Sequence, residues 1–123
     1  MKGFSVDLEQ RTLENEFFRQ VLFTTERSQL VLMALQPSEN IGLEVHEGHD
    51  QFIRVEAGQG RATIGGEEFA LADGVAVVIP AGLEHDIING SEGVMKLYTL
   101  YTPPEHQDGT IHKTKAEALA AHH

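Results

Sequence analysis

The stretch 74–89 limits the possible folds of this 123-residue chain more than any other. It opens with an apolar run, 75–79, that predicts a buried strand. Pro80 and Gly82 then predict a tight turn, and His85 follows at the start of the next apolar segment. Because Pro80 restricts φ and Gly82 can take a positive φ, the turn delivers His85 to a defined place on a sheet face. A histidine held in this way can bind a metal ion.

The rest of the chain predicts an all-β domain, because short apolar segments alternate with turn signals. Gly65-Gly66 predicts a two-residue hairpin turn, since both positions can take a positive φ. Asp73-Gly74 and Asn89-Gly90 mark further turns. The predicted strands cover 17–24, 29–35, 43–46, 51–56, 60–64, 67–71, 75–79, 84–89 and 93–101.

A second group of candidate ligands lies upstream of the 74–89 stretch. On a strand, side chains alternate between faces, so Glu44 and His46 are expected to point to the same side. Gln51 begins the next predicted strand and can lie beside them, and His85 arrives from a third strand. Imidazole nitrogens and carboxylate or amide oxygens can share one divalent ion. The predicted metal ligands are therefore Glu44, His46, Gln51 and His85.

These two groups together resemble the paired motifs of the cupin family. The later motif fits the family pattern at each spaced position, which here are Gly74, Pro80, Gly82, His85 and Asn89. The earlier motif fits in part: the family's usual glycine, His-x-His, glutamate and glycine correspond here to Ser38, Glu44, His46, Gln51 and Gly58. The resemblance covers roughly residues 16–112. It implies a double-stranded β-helix, that is a jelly-roll barrel, with a metal inside and a homodimeric assembly.

Three regions are expected along the chain. Residues 1–15 form an N-terminal arm, 16–102 the β-barrel, and 103–123 a loop with a short C-terminal helix. The pattern Thr114-Lys-Ala-Glu117 is typical of a capping box, which predicts a helix over 114–121. His122 and His123 are interpreted as having no functional role.

The composition excludes several classes of partner and chemistry. With 9 Lys+Arg and 19 Asp+Glu, the net charge of −10 argues against nucleic acid or an anionic membrane as the main partner. No apolar run is long enough for a membrane span, and the N-terminal residues lack the apolar core of a signal peptide. Without cysteine there is no disulfide or thiol chemistry, which fits a cytoplasmic protein.

The predicted activity follows from the metal. One divalent ion per chain, Zn, Mn or Fe, would act as a Lewis acid on a small polar metabolite, such as a sugar or a hydroxy or keto acid. Two alternatives stay open. Glu44, His46 and His85 also form the two-histidine, one-carboxylate set of an Fe-dependent dioxygenase. The chain could instead be a non-catalytic module that binds a small ligand.

Other polar and aromatic residues receive simpler interpretations. His49 lies three residues after His46, so on a continuous strand the two would face opposite sides. His106, Asp108 and His112 are expected to be solvated loop residues. Phe52 and Arg54 are expected on the outer sheet face, where they would form the contact of the homodimer.

Overall fold

The computed structural model describes residues 2–121 and shows a predominantly β protein with a short helix near each end. The elements, in chain order, are α1 (Leu8–Glu14), β1 (Arg19–Thr24), β2 (Gln29–Leu35), β3 (Asp50–Ala57), β4 (Gly60–Ile64), β5 (Glu67–Leu71), β6 (Ala76–Ile79), β7 (His85–Asn89), β8 (Met95–Thr102), β9 (Ile111–His112) and α2 (Lys115–Ala121).

The strands form two antiparallel sheets around one core. The larger sheet has the order β6-β3-β8-β2-β1-β9, and the smaller has the order β5-β4-β7. Strands that are adjacent in the larger sheet are often distant in sequence, as in a jelly roll. Met33 and Leu97 of the larger sheet and Ala62 and Ile87 of the smaller one belong to the same buried cluster. The predicted double-stranded β-helix with a short C-terminal helix is confirmed.

Strand register divides the interior into an apolar end and a polar end. Met33 and Val55 pair with Leu97 at one end, and all three are fully buried. At the other end Gln29 and Gln51 flank Tyr101 on adjacent strands, again with all three buried. Buried polar groups are costly unless they find partners. Gln29 finds its partners in Thr24 and the backbone of residues 105–106, whereas Oε1 of Gln51 has none among the described residues, so a ligand or ion would have a role beside Gln51.

Glycines occupy the turns that the sequence predicts, with a positive φ. Gly65 and Gly66 have φ values of +55° and +85°, which confirms the predicted hairpin turn between β4 and β5. Gly82 has a φ of +87° in the turn that precedes β7. Because L side chains rarely adopt this conformation, glycine is the residue suited to these positions.

One predicted strand is wrong. Residues 43–46 do not form a regular strand, and this segment is held by isolated bridges that pair Asn40 with Ile88 and Glu44 with His85. Gly42, with a φ of +124°, interrupts the extended backbone between the two bridges. Successive side chains of this segment still alternate between solvent and interior: Leu43 and Val45 are exposed, while Glu44 and His46 are partly buried.

The described chain has a short helix near each of its ends. Residues 8–14 of the predicted arm form α1, whose first turn is capped by Asp7 through a 3.3 Å bond from the Gln10 amide. At the other end, Thr114 accepts from the Glu117 amide at 3.2 Å, and the Glu117 carboxylate accepts from the Lys113 amide at 2.6 Å. The predicted C-terminal helix is present. His122 and His123 lie outside the described residues. No helix within residues 2–121 has the length and apolar character needed to cross a membrane.

Candidate metal site

The site is assembled by the pairing of two segments that are distant in sequence. Glu44 and His85 exchange both backbone hydrogen bonds, at 2.9 Å each, so their side chains are held side by side. His46 lies two residues beyond Glu44 and points to the same side. Glu44, His46 and His85 each offer one ligand atom within 4.8 Å of the other two. The structure therefore brings together three of the four predicted ligands as one cluster.

Glu44 and His46 are in direct contact through their side chains. Oε2 of Glu44 lies 2.8 Å from Nε2 of His46, yet this buried nitrogen has no hydrogen-bond partner among the described residues. A hydrogen bond needs an aligned hydrogen as well as a short distance. A carboxylate oxygen and an imidazole nitrogen that converge in this way can share a proton or a metal cation.

The two histidines are oriented by partners on their other ring nitrogens. Nδ1 of His85 lies 3.0 Å from the Leu83 carbonyl oxygen, and Nδ1 of His46 lies 3.5 Å from the Glu105 carboxylate. A carbonyl or carboxylate at Nδ1 favours a hydrogen there, which leaves Nε2 with its lone pair. This is the arrangement that metal-binding histidines usually have in proteins.

Gln51, the fourth predicted ligand, is buried at the same end of the barrel. Its side chain is 3% exposed, and Nε2 donates to the Thr99 hydroxyl at 3.0 Å. Oε1 has no hydrogen-bond partner among the described residues. Gln51 pairs with Tyr101, whose ring centre is 6.0 Å from that of His46. An unpartnered amide oxygen in this position fits a cation ligand, because such an oxygen otherwise carries a desolvation cost.

Electrostatics at the cluster favour an ionised carboxylate. Burial raises the pKa of Glu44, but the adjacent His46, together with the charges of Arg19 and His85, outweighs burial and lowers it overall. The Glu44 carboxylate raises the pKa of His46, against the opposing effect of burial and with further help from Glu105. A metal at this point would take the place of the proton that these two groups otherwise compete for.

Glu105 and His49 are neighbours of the cluster that sequence reasoning did not assign. Oε2 of Glu105 lies 2.8 Å from Nε2 of His49, and Nδ1 of His49 lies 2.8 Å from the Pro103 carbonyl oxygen. His49 is thus directed at the 103–105 loop and lies outside the three-residue cluster. Only the return of this loop over the barrel end brings Glu105 to His46, and no motif in the sequence signals that return.

Arg19 is a second residue that sequence reasoning missed. It is 3% exposed, and its Nη1 donates to Nδ1 of His112 at 3.3 Å. His106 packs edge-on against Tyr101, with ring centres 5.3 Å apart. The expectation of solvated loop residues is therefore wrong for His106 and His112, which are partly buried, whereas Asp108 is exposed. The register of β9 against β1, which pairs Arg19 with His112, is a tertiary feature that local sequence does not reveal.

Comparison with known proteins identifies the family of this chain. Residues 31–101 match the family Cupin_2, described as the cupin domain. The chain belongs to the cupin family. It is 42% identical over 126 residues to YrkC of Bacillus subtilis (strain 168), with 98% of this chain and 68% of that protein covered. It is also 42% identical over 112 residues to L612 of Acanthamoeba polyphaga mimivirus, with 88% of this chain and 70% of that protein covered.

A solved structure extends the likeness to three dimensions. The crystal structure of BH2720 from Bacillus halodurans superimposes with a TM-score of 0.95 at 41% identity, covering 97% of this cupin and 95% of that chain. The similarity therefore includes the barrel and both terminal helices, since so little of the chain is left uncovered.

Proposed function

We propose that this cupin binds one divalent metal ion per chain through Glu44, His46 and His85, with Gln51 as a fourth ligand. The observation that carries the proposal is the convergence of three ligand atoms within 4.8 Å of one another. The unpartnered Oε1 of Gln51 supports the fourth position. Two imidazoles, one carboxylate and one amide oxygen suit Zn, Mn or Fe.

The proposed activity is on a small polar metabolite, such as a sugar or a hydroxy or keto acid. A bound ion would supply Lewis acidity toward a substrate oxygen. The Glu44 side chain is 33% exposed, so the cluster can be reached from solvent. Glu105 is 24% exposed at the same end and is not needed as a ligand, so its carboxylate can accept a proton from a bound substrate.

Metal content is the direct test. Protein purified without chelator or added metal is expected to contain about one divalent ion per chain by elemental analysis. The double variant His46→Ala, His85→Ala should lose that ion. The matched control, His122→Ala with His123→Ala, also removes two histidines and should keep it. Equal metal content in the two double variants would refute the assignment.

An Fe-dependent dioxygenase is the second candidate, favoured by the composition of the cluster. Two histidines and one carboxylate are the donor set of the non-haem Fe(II) facial triad. Fe(II)-loaded protein should then consume oxygen when the organic substrate is added, and Zn-loaded protein should not. Turnover of substrate by the Zn form without oxygen would instead support the Lewis-acid activity.

We also propose a homodimer formed through the outer face of the larger sheet. Gln51 faces the interior, and Phe52 lies on the opposite face, half-buried. Val78, opposite Phe52 on the edge strand β6, is 63% exposed. Aromatic and apolar side chains on an exposed sheet face are suited to an interface.

A further inference from the structure

The segment 40–46 contains one residue more than the part of β7 that it faces. Isolated antiparallel bridges pair Asn40 with Ile88 and Glu44 with His85. Between these two bridges the chain takes four steps along the segment but only three along β7. An extra residue on one side of an antiparallel pair is a β-bulge, and bulges redirect the side chains that follow them.

The bulge decides which side chains of the segment reach the candidate metal site. Residues directly opposite each other in an antiparallel pair project to the same face. In a regular register Leu43 would lie opposite His85, whereas the extra residue brings Glu44 to that place. Burial agrees, since Leu43 is 64% exposed and the Glu44 side chain 33%. The bulge therefore puts Glu44 and His46, rather than Leu43 and Val45, on the inner side.

The Asp86 side chain accepts the hydrogen bonds that the bulge takes out of the regular ladder. Gly42, with a φ of +124°, donates from its backbone amide to Oδ1 of Asp86 at 3.0 Å. Oδ2 of Asp86 accepts from Nδ2 of Asn40 at 2.8 Å. Asp86 is only 9% exposed, and a buried amide without an acceptor is costly. The carboxylate therefore stabilises the bulged register over the regular one.

The C-terminal helix fixes the orientation of Asn40. Lys115 of α2 donates to Oδ1 of Asn40, which leaves Nδ2 of Asn40 to donate to Asp86. A side-chain amide has one accepting end and one donating end, so neither end can be exchanged without a mismatch. A substitution that replaces Oδ2 of Asp86 by a donor would therefore set two donors against each other.

We propose that Asp86 is a positioning residue, whose carboxylate stabilises the bulge and so holds Glu44 and His46 on the same side as His85. Asp86 is not itself in the ligand cluster, and both of its oxygens are occupied by Gly42 and Asn40. The consequence for metal binding rests on the proposed function, whereas the effect on the backbone needs no metal.

Asp86→Asn keeps the shape of the side chain and tests the consequence for metal. Zn²⁺ affinity, measured by competition with a chromophoric chelator, should fall at least about 10-fold, as is usual when groups that orient metal ligands are lost. The double variant Asn40→Asp, Asp86→Asn moves the carboxylate to the other side of the same hydrogen bond, where it still faces Lys115. It should recover most of the affinity. Unchanged affinity in folded Asp86→Asn, or no recovery in the double variant, would overturn the proposal.

Hydrogen exchange of the metal-free protein separates the role of Asp86 from the proposed function. The Glu44 amide donates to the His85 carbonyl oxygen at 2.9 Å, and in Asp86→Asn it should exchange at least about 10-fold faster. The Thr25 amide, bonded to Ser28 in the turn between β1 and β2, is the internal control and should not change. If the unmodified protein binds no metal, the proposed function fails and this measurement still decides the role of Asp86. Unchanged exchange at Glu44, or equal acceleration at Thr25, would overturn that role.

A pair of glycine variants covers the case in which Asp86→Asn does not fold. A methyl group added at Gly42 or at Gly48 meets nothing within 4 Å, but only Gly42 has a positive φ. Gly42→Ala therefore disfavours the bulge through backbone conformation alone and should accelerate exchange of the Glu44 amide. Gly48→Ala is the matched control and should leave it unchanged. Equal exchange of the Glu44 amide in the two variants would overturn the proposal.

Discussion

Glu105→Gln tests whether the carboxylate beside His46 supports metal binding. The substitution keeps the shape of the side chain and removes its charge, 3.5 Å from Nδ1 of His46 and 2.8 Å from Nε2 of His49. A carboxylate at Nδ1 makes the other ring nitrogen a better donor and holds the ring in place. Metal affinity should therefore fall, although none of the proposed ligands is changed.

The expected loss lies at the lower end of the usual range. Removing a partner of a metal-binding histidine typically reduces affinity about 10- to 100-fold, which corresponds to roughly 1.4–2.8 kcal/mol. The 3.5 Å contact is longer than a strong hydrogen bond, and the Glu105 side chain is 24% exposed, so solvent screens part of its charge. The remaining amide oxygen can still accept from Nδ1. We therefore expect a loss of about 10-fold for Glu105→Gln.

The assay is competition for Zn²⁺ with a chromophoric chelator at neutral pH. Glu68→Gln is the matched control, because Glu68 is exposed on the smaller sheet, outside the cluster. It removes the same charge and should leave the affinity unchanged. Equal affinities for Glu105→Gln and Glu68→Gln, with both variants folded, would refute the role given to Glu105.

Three further predictions address the remaining parts of the site and the assembly. Gln51→Glu should tighten metal binding by adding a carboxylate, while lowering the melting temperature of the metal-free protein because the new charge is buried; unchanged affinity would place Gln51 outside the ligand set. Since the pKa of His46 is raised by Glu44, and His46 must be neutral to bind metal, affinity should fall as pH falls through that raised pKa. Metal titrations at a series of pH values check this, and a flat profile from neutral pH to well below about 6.5 would contradict imidazole ligation. Light scattering should show a dimer at micromolar concentration that Phe52→Asp converts to a folded monomer; a monomeric unmodified protein, or a dimer in Phe52→Asp, would refute the proposed interface.

The fold could be predicted from the chain because its signals are local. Gly65, Gly66 and Gly82 sit at turns that need a positive φ, and each is recognisable from its neighbours. Alternation on a strand likewise predicts that Gln51 faces inward and Phe52 outward, as the burial of β3 shows. The exception is the segment 43–46, where a locally reasonable strand is reduced to isolated bridges beside Gly42.

The sequence by itself determined that Glu44, His46 and His85 are candidates for one site, because their spacing follows strand alternation and a tight turn. Only the tertiary structure revealed what surrounds them. Glu105 reaches His46 because the loop after β8 folds back over the barrel end, and Arg19 bonds to His112 because β1 pairs with β9. Such contacts join residues far apart in the chain, and their side chains carry no periodic signal of their own. Local pattern therefore predicts the candidate ligands, while the charged residues around them depend on long-range packing.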